Sequence, residues 1–227
     1  MNTFSFKICT QSTATHARTG LLSTPRGIIQ TPVFMPCGTK GTVKTLSPRD
    51  LQELGVDIML CNTYHLFIRP GHKLIKKMGG LHKWIAWPKA ILTDSGGYQI
   101  FSLKERVNIQ DEGVEFRSHL NGDRHFLTPE KSIEIQHALD ADIIMAFDEC
   151  APGDSSKTYA RQAMERTHQW ALRCQKMHQK LLKKTGESKV LFPIVQGVIY
   201  DDLRRESAKF INDLDCPGVA IGGLSVG

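Results

Sequence analysis

Short runs of apolar and β-branched residues recur along the chain, and each run ends in polar residues or glycine. Such runs, bounded by turn residues, are typical of buried β-strands. There are six of them, at residues 32–37, 56–62, 90–96, 142–148, 190–197 and 218–224. The pattern therefore predicts six strands that are apolar on both faces.

The segments between these runs carry helix signals. Ser47-Pro48 and Thr128-Pro129 each place a capping hydroxyl before a proline, which is a common start of a helix. Residues 159–182 form a long amphipathic stretch. Strands that alternate with helices predict a parallel sheet covered by helices on its faces.

Two segments break this alternation. The first thirty residues have the pattern of short antiparallel strands with turns, which predicts a cap over one end of the sheet. Residues 108–128 contain Asn121-Gly122 between two alternating runs, which predicts a two-residue turn in an inserted β-hairpin.

Six strands joined by helices suit either a doubly wound open sheet or most of a barrel. The dinucleotide fingerprint G-x-G-x-x-G follows none of the runs, and polar residues follow several runs, as in the sites of barrels. We therefore expect an α/β fold, namely a (β/α)8 TIM-type barrel that is incomplete, with about six of its eight strands. A single, truncated catalytic-barrel domain is expected over residues 1–227.

The composition is that of an ordinary globular protein, with 41% hydrophobic and 23% charged residues. The six cysteines are scattered and form no C-x-x-C pair, which argues against a disulfide framework or a zinc ribbon. With neither a signal-peptide pattern nor a membrane-spanning one, we expect a cytoplasmic protein. The net charge of +6 is compatible with a polyanionic partner.

The first candidate site follows the third run, in Asp94-Ser95-Gly96-Gly97-Tyr98. The glycines let backbone amides approach a ligand, the carboxylate stands at the strand end, and the tyrosine ring offers a stacking face. These residues suit a flat polar ligand. They equally suit a tight turn in which Asp94 only caps the next helix.

Asp148 ends the fourth run, and Cys150 follows it. A carboxylate there can accept two hydrogen bonds from a guanine-like edge, although a helix cap or a surface ion pair is the alternative. No histidine stands in a partner motif for Cys150, so we expect this cysteine to line a pocket rather than act as a nucleophile.

Gln196 ends the fifth run, and Gly222-Gly223-Leu224 ends the sixth. An amide both donates and accepts hydrogen bonds, and glycines expose backbone groups, although a plain turn is the default interpretation of Gly222. The nine histidines show no metal-ligand pattern, and only His65 follows a strand end. Together the strand ends predict a polar pocket for a planar heterocycle, with two acids for acid–base or nucleophilic work.

Several motifs carry a family resemblance: TDSGGYQIFSL at 93–103, ADIIMAFDEC at 141–150, VQG at 195–197 and AIGGLSVG at 220–227. They resemble bacterial tRNA-guanine transglycosylase, also called queuine tRNA-ribosyltransferase, and the similarity extends over essentially the whole chain. The resemblance implies a (β/α)8 barrel that exchanges the wobble guanine of tRNAs with G-U-N anticodons for a 7-deazaguanine. The implied partners are tRNA, guanine, the 7-deazaguanine and a second copy of the chain in a homodimer, with no membrane.

The resemblance also implies roles for individual residues. Asp94 matches the family's proton acceptor, a general acid/base. Cys150 and Tyr98 match bacterial members, which favours 7-aminomethyl-7-deazaguanine as the incoming base. The implied base-binding residues are Asp94, Ser95, Gly96, Gly97, Tyr98, Asp148, Cys150, Gln196, Gly223 and Leu224.

The family's covalent step uses an aspartate nucleophile, so that the exchange resembles retaining glycoside hydrolysis with a base in place of water. By the resemblance, this nucleophile and a zinc site of three cysteines and a histidine follow residue 227. We therefore expect neither metal nor cofactor in this chain, zinc in the full-length protein, and a fragment that is inactive alone.

Two other functions are consistent with parts of the sequence. One is a non-catalytic base- or tRNA-binding remnant or accessory subunit. The other is a retaining glycosidase that uses Asp94 and Asp148, which fits the two acids but not a guanine-like pocket. A barrel with six strands would also expose sheet edges, which predicts poor solubility unless a partner covers them.

Overall fold

The computed structural model describes residues 4–102 and 107–224. Its strands are β1 Ser5–Gln11, β2 Arg18–Thr24, β3 Gly27–Thr31, β4 Cys37–Gly38, β5 Ile58–Cys61, β6 Ala90–Thr93, β7 Asn108–Ile109, β8 Val114–Arg117, β9 Arg124–Leu127, β10 Ile143–Met145, β11 Val190–Phe192, β12 Ile194–Val195 and β13 Ala220–Ile221. Its helices are α1 Pro48–Glu53, α2 Thr63–Ile68, α3 His72–Lys77, α4 Leu81–Trp84, α5 Gly97–Ser102, α6 Pro129–Leu139, α7 Lys157–Thr185 and α8 Asp201–Asp213.

The central sheet is parallel, and its strands lie side by side in chain order. Strands β4, β5, β6, β10 and β11 form one sheet, and β12 pairs with β13. Helices follow the strands, which confirms the prediction of a mixed α/β fold with a mostly parallel sheet. Five of the six apolar runs contain at least one of these strands, and the run at 32–37 overlaps β4 at Cys37.

Prolines set the bounds of two of these strands, and both differ from the prediction. The run at 32–37 forms a strand only at Cys37–Gly38, because Pro32 and Pro36 have no N–H to donate to a ladder. In the run at 190–197, Pro193 separates β11 from β12 for the same reason. The strand changes its partner there, since the Pro193 carbonyl accepts a hydrogen bond from Ala220 N at 2.8 Å.

Alternate residues of the parallel strands enter two different cores. Ile91 and Ile144 are fully buried with residues of the helices. Ala90, Leu92 and Ile143 belong to a second core on the opposite face of the sheet. Because successive side chains of a strand point to opposite faces, both faces must be apolar. This explains why the strands are continuous apolar runs rather than alternating ones.

The N-terminal cap is an antiparallel sheet in the order β1, β2, β3. Ile29 of β3 is 2% exposed and joins the second core, together with the first residues of β5, β6, β10 and β11. In the turn before β3, Arg26 Nε lies 3.4 Å from Asp142 Oδ1. The cap therefore covers the amino ends of the parallel strands, as predicted.

The inserted hairpin is present, but its turn differs from the prediction. Strands β8 and β9 pair with Arg117 opposite Arg124, so six residues connect them instead of two. A two-residue type I′ turn needs positive φ at both central residues. Gly122 has φ +75°, whereas the φ of Asn121 is not positive. Gly122 N donates to Ser118 O at 2.9 Å, which closes the longer loop instead.

The predicted helix starts are confirmed. Ser47 accepts a hydrogen bond from Asp50 N at 3.2 Å, and Thr128 accepts one from Lys131 N at 3.1 Å. The amphipathic stretch at 159–182 lies within α7. Within the described part of the chain, no helix combines the length and the apolar character needed to cross a membrane.

Candidate functional site

Asp94 follows β6 directly, at the carboxyl end of the parallel sheet. Its Oδ1 accepts hydrogen bonds from Thr63 N at 2.8 Å and from Gly96 N at 3.1 Å, and its Oδ2 accepts one from the side-chain amide of Asn62. The hydrogen bond from Gly96 N, just before α5, forms the tight turn that the sequence predicts as the alternative to a ligand site. The two bonds from the neighbouring strand end show that the carboxylate is also fixed from outside its own turn.

Asp148 lies at the end of the next strand along the sheet, three residues after β10, and is 6% exposed. Ser95 Oγ donates to its Oδ1 at 2.9 Å, and Gln196 Nε2 donates to its Oδ2 at 2.7 Å. Three strand ends therefore meet at one carboxylate. The structure brings Asp94, Ser95, Asp148 and Gln196 together, as the strand-end pattern predicted.

The two carboxylates keep different capacities for further hydrogen bonds. An ionised carboxylate has about four lone-pair positions. Three described donors approach Asp94, and a hydrogen bond from the Gln99 side chain also lowers its pKa, so at most about one position is left. Two described donors approach Asp148, one on each oxygen, which leaves about two positions. Asp148 therefore has room for the paired donors of a heterocycle edge, and Asp94 has room for a single proton.

Burial raises the pKa values of both carboxyl groups. Burial raises the pKa of Asp94, although the hydrogen bonds from Asn62 and Thr63 act against the rise. Burial also raises the pKa of Asp148 to about 6, with the charge of Asp94 adding to the rise and the bonds from Gln196 and Ser95 opposing it. Carboxyl groups with raised pKa values are suited to proton transfer near neutral pH.

Glycines allow the site to be compact. A Cβ on Gly97 would stand 2.6 Å from the carbonyl oxygen of Asp148 and 3.3 Å from its Oδ1. A Cβ on Gly222 would stand 2.6 Å from Gln196 Nε2. Gly223 has φ +75°, and a Cβ there would stand 3.5 Å from Gln196 Oε1. At Gly97 and Gly222 the loops thus approach the polar groups more closely than any other residue type permits, whereas Gly223 is required by its positive φ.

Tyr98 and Cys150 line a cavity of about 820 Å³, together with Phe101, Ile109, Tyr159 and Ile199. Asp94, Asp148 and Gln196 are not among its lining residues, so the cavity adjoins the acids only through their neighbours in the chain. Tyr98 is 46% exposed, so one side of its ring is open to a ligand. Burial raises the pKa of Cys150 to about 11, which keeps its thiol protonated at neutral pH. The wall position and the protonated thiol agree with a lining role rather than a nucleophilic one.

Gln196 has its own support from α8. Its backbone N donates to Ser207 Oγ at 3.1 Å, and His168 Nε2 lies 3.0 Å from the same hydroxyl. The ring of His168 stacks on Phe210 with centroids 4.1 Å apart. A second helix, α7, thereby contributes to fixing the strand end that carries the amide.

Leu224 is 76% exposed and is not among the residues lining the described cavity. His65, expected near the site, lies on α2 and packs edge-on against Tyr64 and His119, with ring centroids 5.2 and 5.5 Å away. The Tyr64 hydroxyl lies 2.7 Å from His119 Nδ1. His65 therefore belongs to the contact between α2 and the inserted hairpin.

Four further residues that bind Asp94 or the backbone near the acids were not predicted from the sequence: Asn62, Thr63, Ser132 and Gln136. Asn62 ends the second apolar run, so its place at a strand end was an available signal. Ser132 and Gln136 are on α6, where an amphipathic pattern does not distinguish a buried polar side chain from a solvated one.

No group of three or more histidine, cysteine, aspartate or glutamate side chains that could hold a metal ion occurs in residues 4–102 and 107–224. The described chemistry is thus that of hydrogen-bonding acids, amides and glycines at the carboxyl ends of parallel strands. This defines an α/β protein with a polar, strand-end ligand site of the kind that parallel α/β enzymes use.

Comparison with known proteins gives the family. Residues 12–227 match the family model described as queuine tRNA-ribosyltransferase. The chain is 54% identical over 227 residues to the queuine tRNA-ribosyltransferase of Thermoanaerobacter sp. (strain X514), covering 100% of this chain and 59% of the relative. It is 55% identical over 221 residues to that of Bacillus licheniformis, covering 97% and 56%. The chain belongs to the queuine tRNA-ribosyltransferase family, and it spans less than two thirds of the length of these relatives.

Proposed function

We propose that this chain is the base-recognising part of a tRNA-guanine transglycosylase. The full enzyme exchanges the wobble guanine of tRNAs with G-U-N anticodons for 7-aminomethyl-7-deazaguanine. The observation that carries the proposal is Asp148, a buried carboxylate held by Ser95 and Gln196 with about two lone-pair positions left. The membership of the chain in the queuine tRNA-ribosyltransferase family supports the same substrate class.

Recognition of the base follows from the donors and acceptors at the site. The free positions of Asp148 accept the ring N1–H and the exocyclic amine of guanine, which both donate along one edge. Gln196 offers its amide beside them, and Gly223 and Leu224 offer backbone groups to the remaining polar atoms of the base. Tyr98 stacks on its face, and Cys150 forms part of the wall.

Asp94 serves as the general acid/base. Its raised pKa favours the protonated carboxyl group, which can give a proton to the departing guanine. The resulting carboxylate then takes a proton from the incoming 7-deazaguanine. Asn62, Thr63 and Gly96 hold the carboxyl group in place during both transfers. By the family resemblance, we expect the aspartate that attacks the ribose to follow residue 227.

The wider architecture is part of the same proposal. Residues 1–227 belong to one eight-stranded barrel domain, in which two further strands join β13 to β4. Ile221 on β13 is 62% exposed, as expected of a strand that another strand covers. Zinc in the full-length protein, a homodimer, binding of tRNA and a cytoplasmic location also belong to the proposal, and they rest on the family resemblance.

Calorimetric titration of the 227-residue chain with 7-aminomethyl-7-deazaguanine tests the base site. We expect saturable binding at pH 7 and none for adenine, which lacks the N1–H and the amine on that edge. Exchange of radiolabelled guanine into tRNA by the full-length protein tests the catalytic proposal. Equal affinity for adenine would contradict recognition through Asp148, and base binding without exchange would favour the non-catalytic alternative.

A further inference from the structure

Helix α6 carries two polar side chains that face the sheet instead of solvent. Ser132 and Gln136 are both 0% exposed. Gln136 Oε1 accepts from Thr93 Oγ1 at 3.0 Å and from Met145 N at 2.9 Å. Gln136 Nε2 donates to Ser132 Oγ at 3.1 Å and to Met145 O at 2.9 Å. All four hydrogen-bonding positions of the amide are therefore occupied by the protein.

The orientation of this amide is fixed. The Met145 N–H can only donate and the Met145 carbonyl can only accept, so the oxygen and nitrogen of Gln136 cannot exchange places. Ser132 Oγ accepts a hydrogen bond from Nε2 and donates one to the carbonyl oxygen of Ser95, at 2.7 Å. A directed chain of hydrogen bonds thus runs from the amide of Gln136 to the backbone of Ser95.

This chain lies where the two strands that carry the acids stop pairing. The last paired residues of β6 and β10 are Thr93 and Ile144. Gln136 binds the side chain of Thr93 and both backbone groups of Met145, one residue further along β10. The amide thereby links the two strand ends just before Asp94 and Asp148.

We propose that Gln136 and Ser132 are positioning residues for base recognition, which hold the ends of β6 and β10 so that the Ser95 hydroxyl meets Asp148. The inference rests on the proposed function, because it assigns these residues to the same base site. Neither side chain touches the base. They act through Ser95, whose hydroxyl also accepts a hydrogen bond from Gly97 N at 3.1 Å.

A positioning role differs from a purely structural one in its effect on Asp148. Asp94, Cys150 and Cys174 are titratable groups near this carboxyl, and none of the three is a cation. Arg204 Nη1 lies near the Gln196 amide oxygen, since a Cβ on Gly223 would stand 3.1 Å from the one and 3.5 Å from the other. The described side chains that donate directly to Asp148 are the neutral ones of Ser95 and Gln196. Displacing the Ser95 hydroxyl removes one of these two donors, and the pKa of Asp148 rises further.

The test compares Ser132→Ala with Thr24→Val. Both remove a buried, hydrogen-bonded hydroxyl, but Thr24 is in the cap at the opposite end of the sheet, where its hydroxyl donates to Gly27 O. The first readout is the pH titration of the Asp148 side-chain carbon by NMR in the base-free chain. The second is the affinity for 7-aminomethyl-7-deazaguanine at pH 7.

For Ser132→Ala we expect the titration midpoint of Asp148 to rise by about half a unit to one unit. We also expect base affinity to fall about tenfold, the loss of roughly one hydrogen bond. Thr24→Val should lower the melting temperature and leave both readouts unchanged. An unchanged midpoint in Ser132→Ala, or an equal change in Thr24→Val, overturns the inference.

Gln136→Glu gives an independent arm with nearly the same side-chain shape. Whether ionised or protonated, its carboxyl group cannot donate to both Ser132 and Met145 O, so a rise in midpoint is expected here too. Ser132→Thr keeps the hydroxyl and should restore the wild-type midpoint. If the wild-type protein binds no base, the proposed function fails. The NMR titration still decides whether the hydrogen bonds through Gln136 and Ser132 control the pKa of Asp148.

Discussion

The two ends of the parallel sheet both hold buried aspartates, but they hold them with different partners. At the amino end, Asp142 accepts a hydrogen bond from Ile91 N at 2.9 Å and pairs with Arg26 at 3.4 Å. Asp140 beside it pairs with Lys189. At the carboxyl end, Asp94 and Asp148 have only neutral donors among the residues that the structure describes.

On the proposed function, this difference separates a structural carboxylate from a ligand-binding one. A cation beside a buried carboxylate stabilises its charge permanently and leaves it little to offer a ligand. Neutral donors orient a carboxylate without compensating its charge, so its pKa stays raised and its free lone pairs remain available. The partners of a buried acid are thus more informative about its role than its burial.

Replacing the acid at the carboxyl end should have the largest effect on binding. Asp148→Asn removes the charge and replaces one acceptor oxygen by an amide NH2 group, which cannot accept a hydrogen bond from the base. We expect affinity for 7-aminomethyl-7-deazaguanine to fall about 100-fold or more, since hydrogen bonds to charged groups contribute about 1.5–3 kcal/mol each. Calorimetry at pH 7 measures this, and a loss below tenfold would contradict recognition by Asp148.

The corresponding change at the amino end should affect folding instead. Asp142→Ala leaves the Ile91 N–H without an acceptor and removes the partner of Arg26. We expect the free energy of unfolding in urea to fall by about 2–4 kcal/mol. Base affinity should stay within twofold of the wild-type value. If Asp142→Ala kept its stability but lost affinity for the base, the distinction between the two ends of the sheet would be wrong.

A steric change at the site gives an effect of intermediate size. Gly97→Ala places a methyl group 2.6 Å from the Asp148 carbonyl, and Gly113→Ala makes a similar backbone clash, 2.5 Å from Leu127 O in the inserted hairpin. Both variants should lose about 1–3 kcal/mol of stability. Only Gly97→Ala should weaken base binding, by about tenfold. Thermal unfolding measures the loss of stability, and calorimetry measures the loss of base affinity. If both variants lost base affinity equally, the loss would follow from destabilisation of the whole fold rather than from a change at the site.

The pH dependence should have opposite signs for folding and binding. The pKa of Asp148 is raised to about 6 in the folded chain, from a value of 3.8 for an unperturbed aspartate. The stability that its proton provides is present below pH 3.8 and is lost as pH rises through 6. Binding needs the ionised form, so affinity should fall about tenfold from pH 7 to pH 5.

Urea unfolding and calorimetry at pH 5, 6 and 7 measure the two trends. Asp148→Asn serves as the control, because it has no carboxyl group to titrate at this position and should flatten the dependence of both quantities. If base affinity instead rises as pH falls, the protonated form of Asp148 is the one that binds.

The smallest effect is expected at Tyr98. Tyr98→Phe keeps the ring and should change base affinity by less than about threefold, whereas Tyr98→Ala removes a stacking face that contributes about 1–3 kcal/mol. Because Tyr98 is 46% exposed, neither change should greatly lower the melting temperature. Similar affinities of the Phe and Ala variants would show that the ring does not contact the base.

Much of this comparison was available from the sequence. The continuous apolar runs predicted the parallel strands, since each strand must be apolar on both faces. The polar residues that end the runs at Asp94, Asp148 and Gln196 identified the edge where the site lies. Prolines explain the shortened β4 and the division between β11 and β12, and their lack of an N–H can be read from the sequence.

The remaining features depend on tertiary structure. Asn121-Gly122 resembles a two-residue turn, but the loop closes through Gly122 N and Ser118 O instead. The role of Gln136 depends on which face of α6 meets the sheet and on where strand pairing ends. The sequence around Gln136 does not predict this role, because a glutamine on a short amphipathic helix is usually solvated.

The contact between Arg26 and Asp142 also has a consequence for synthesis, since 116 residues separate the two along the chain. A ribosome that extends the chain at about 5–20 residues per second needs about 6 to 23 seconds to pass from one to the other. During that interval the three cap strands can pair with one another and can meet β5 and β6, which share their core and precede Asp142 in the chain. The ion pair with Asp142 therefore forms only after the cap strands have had time to assemble.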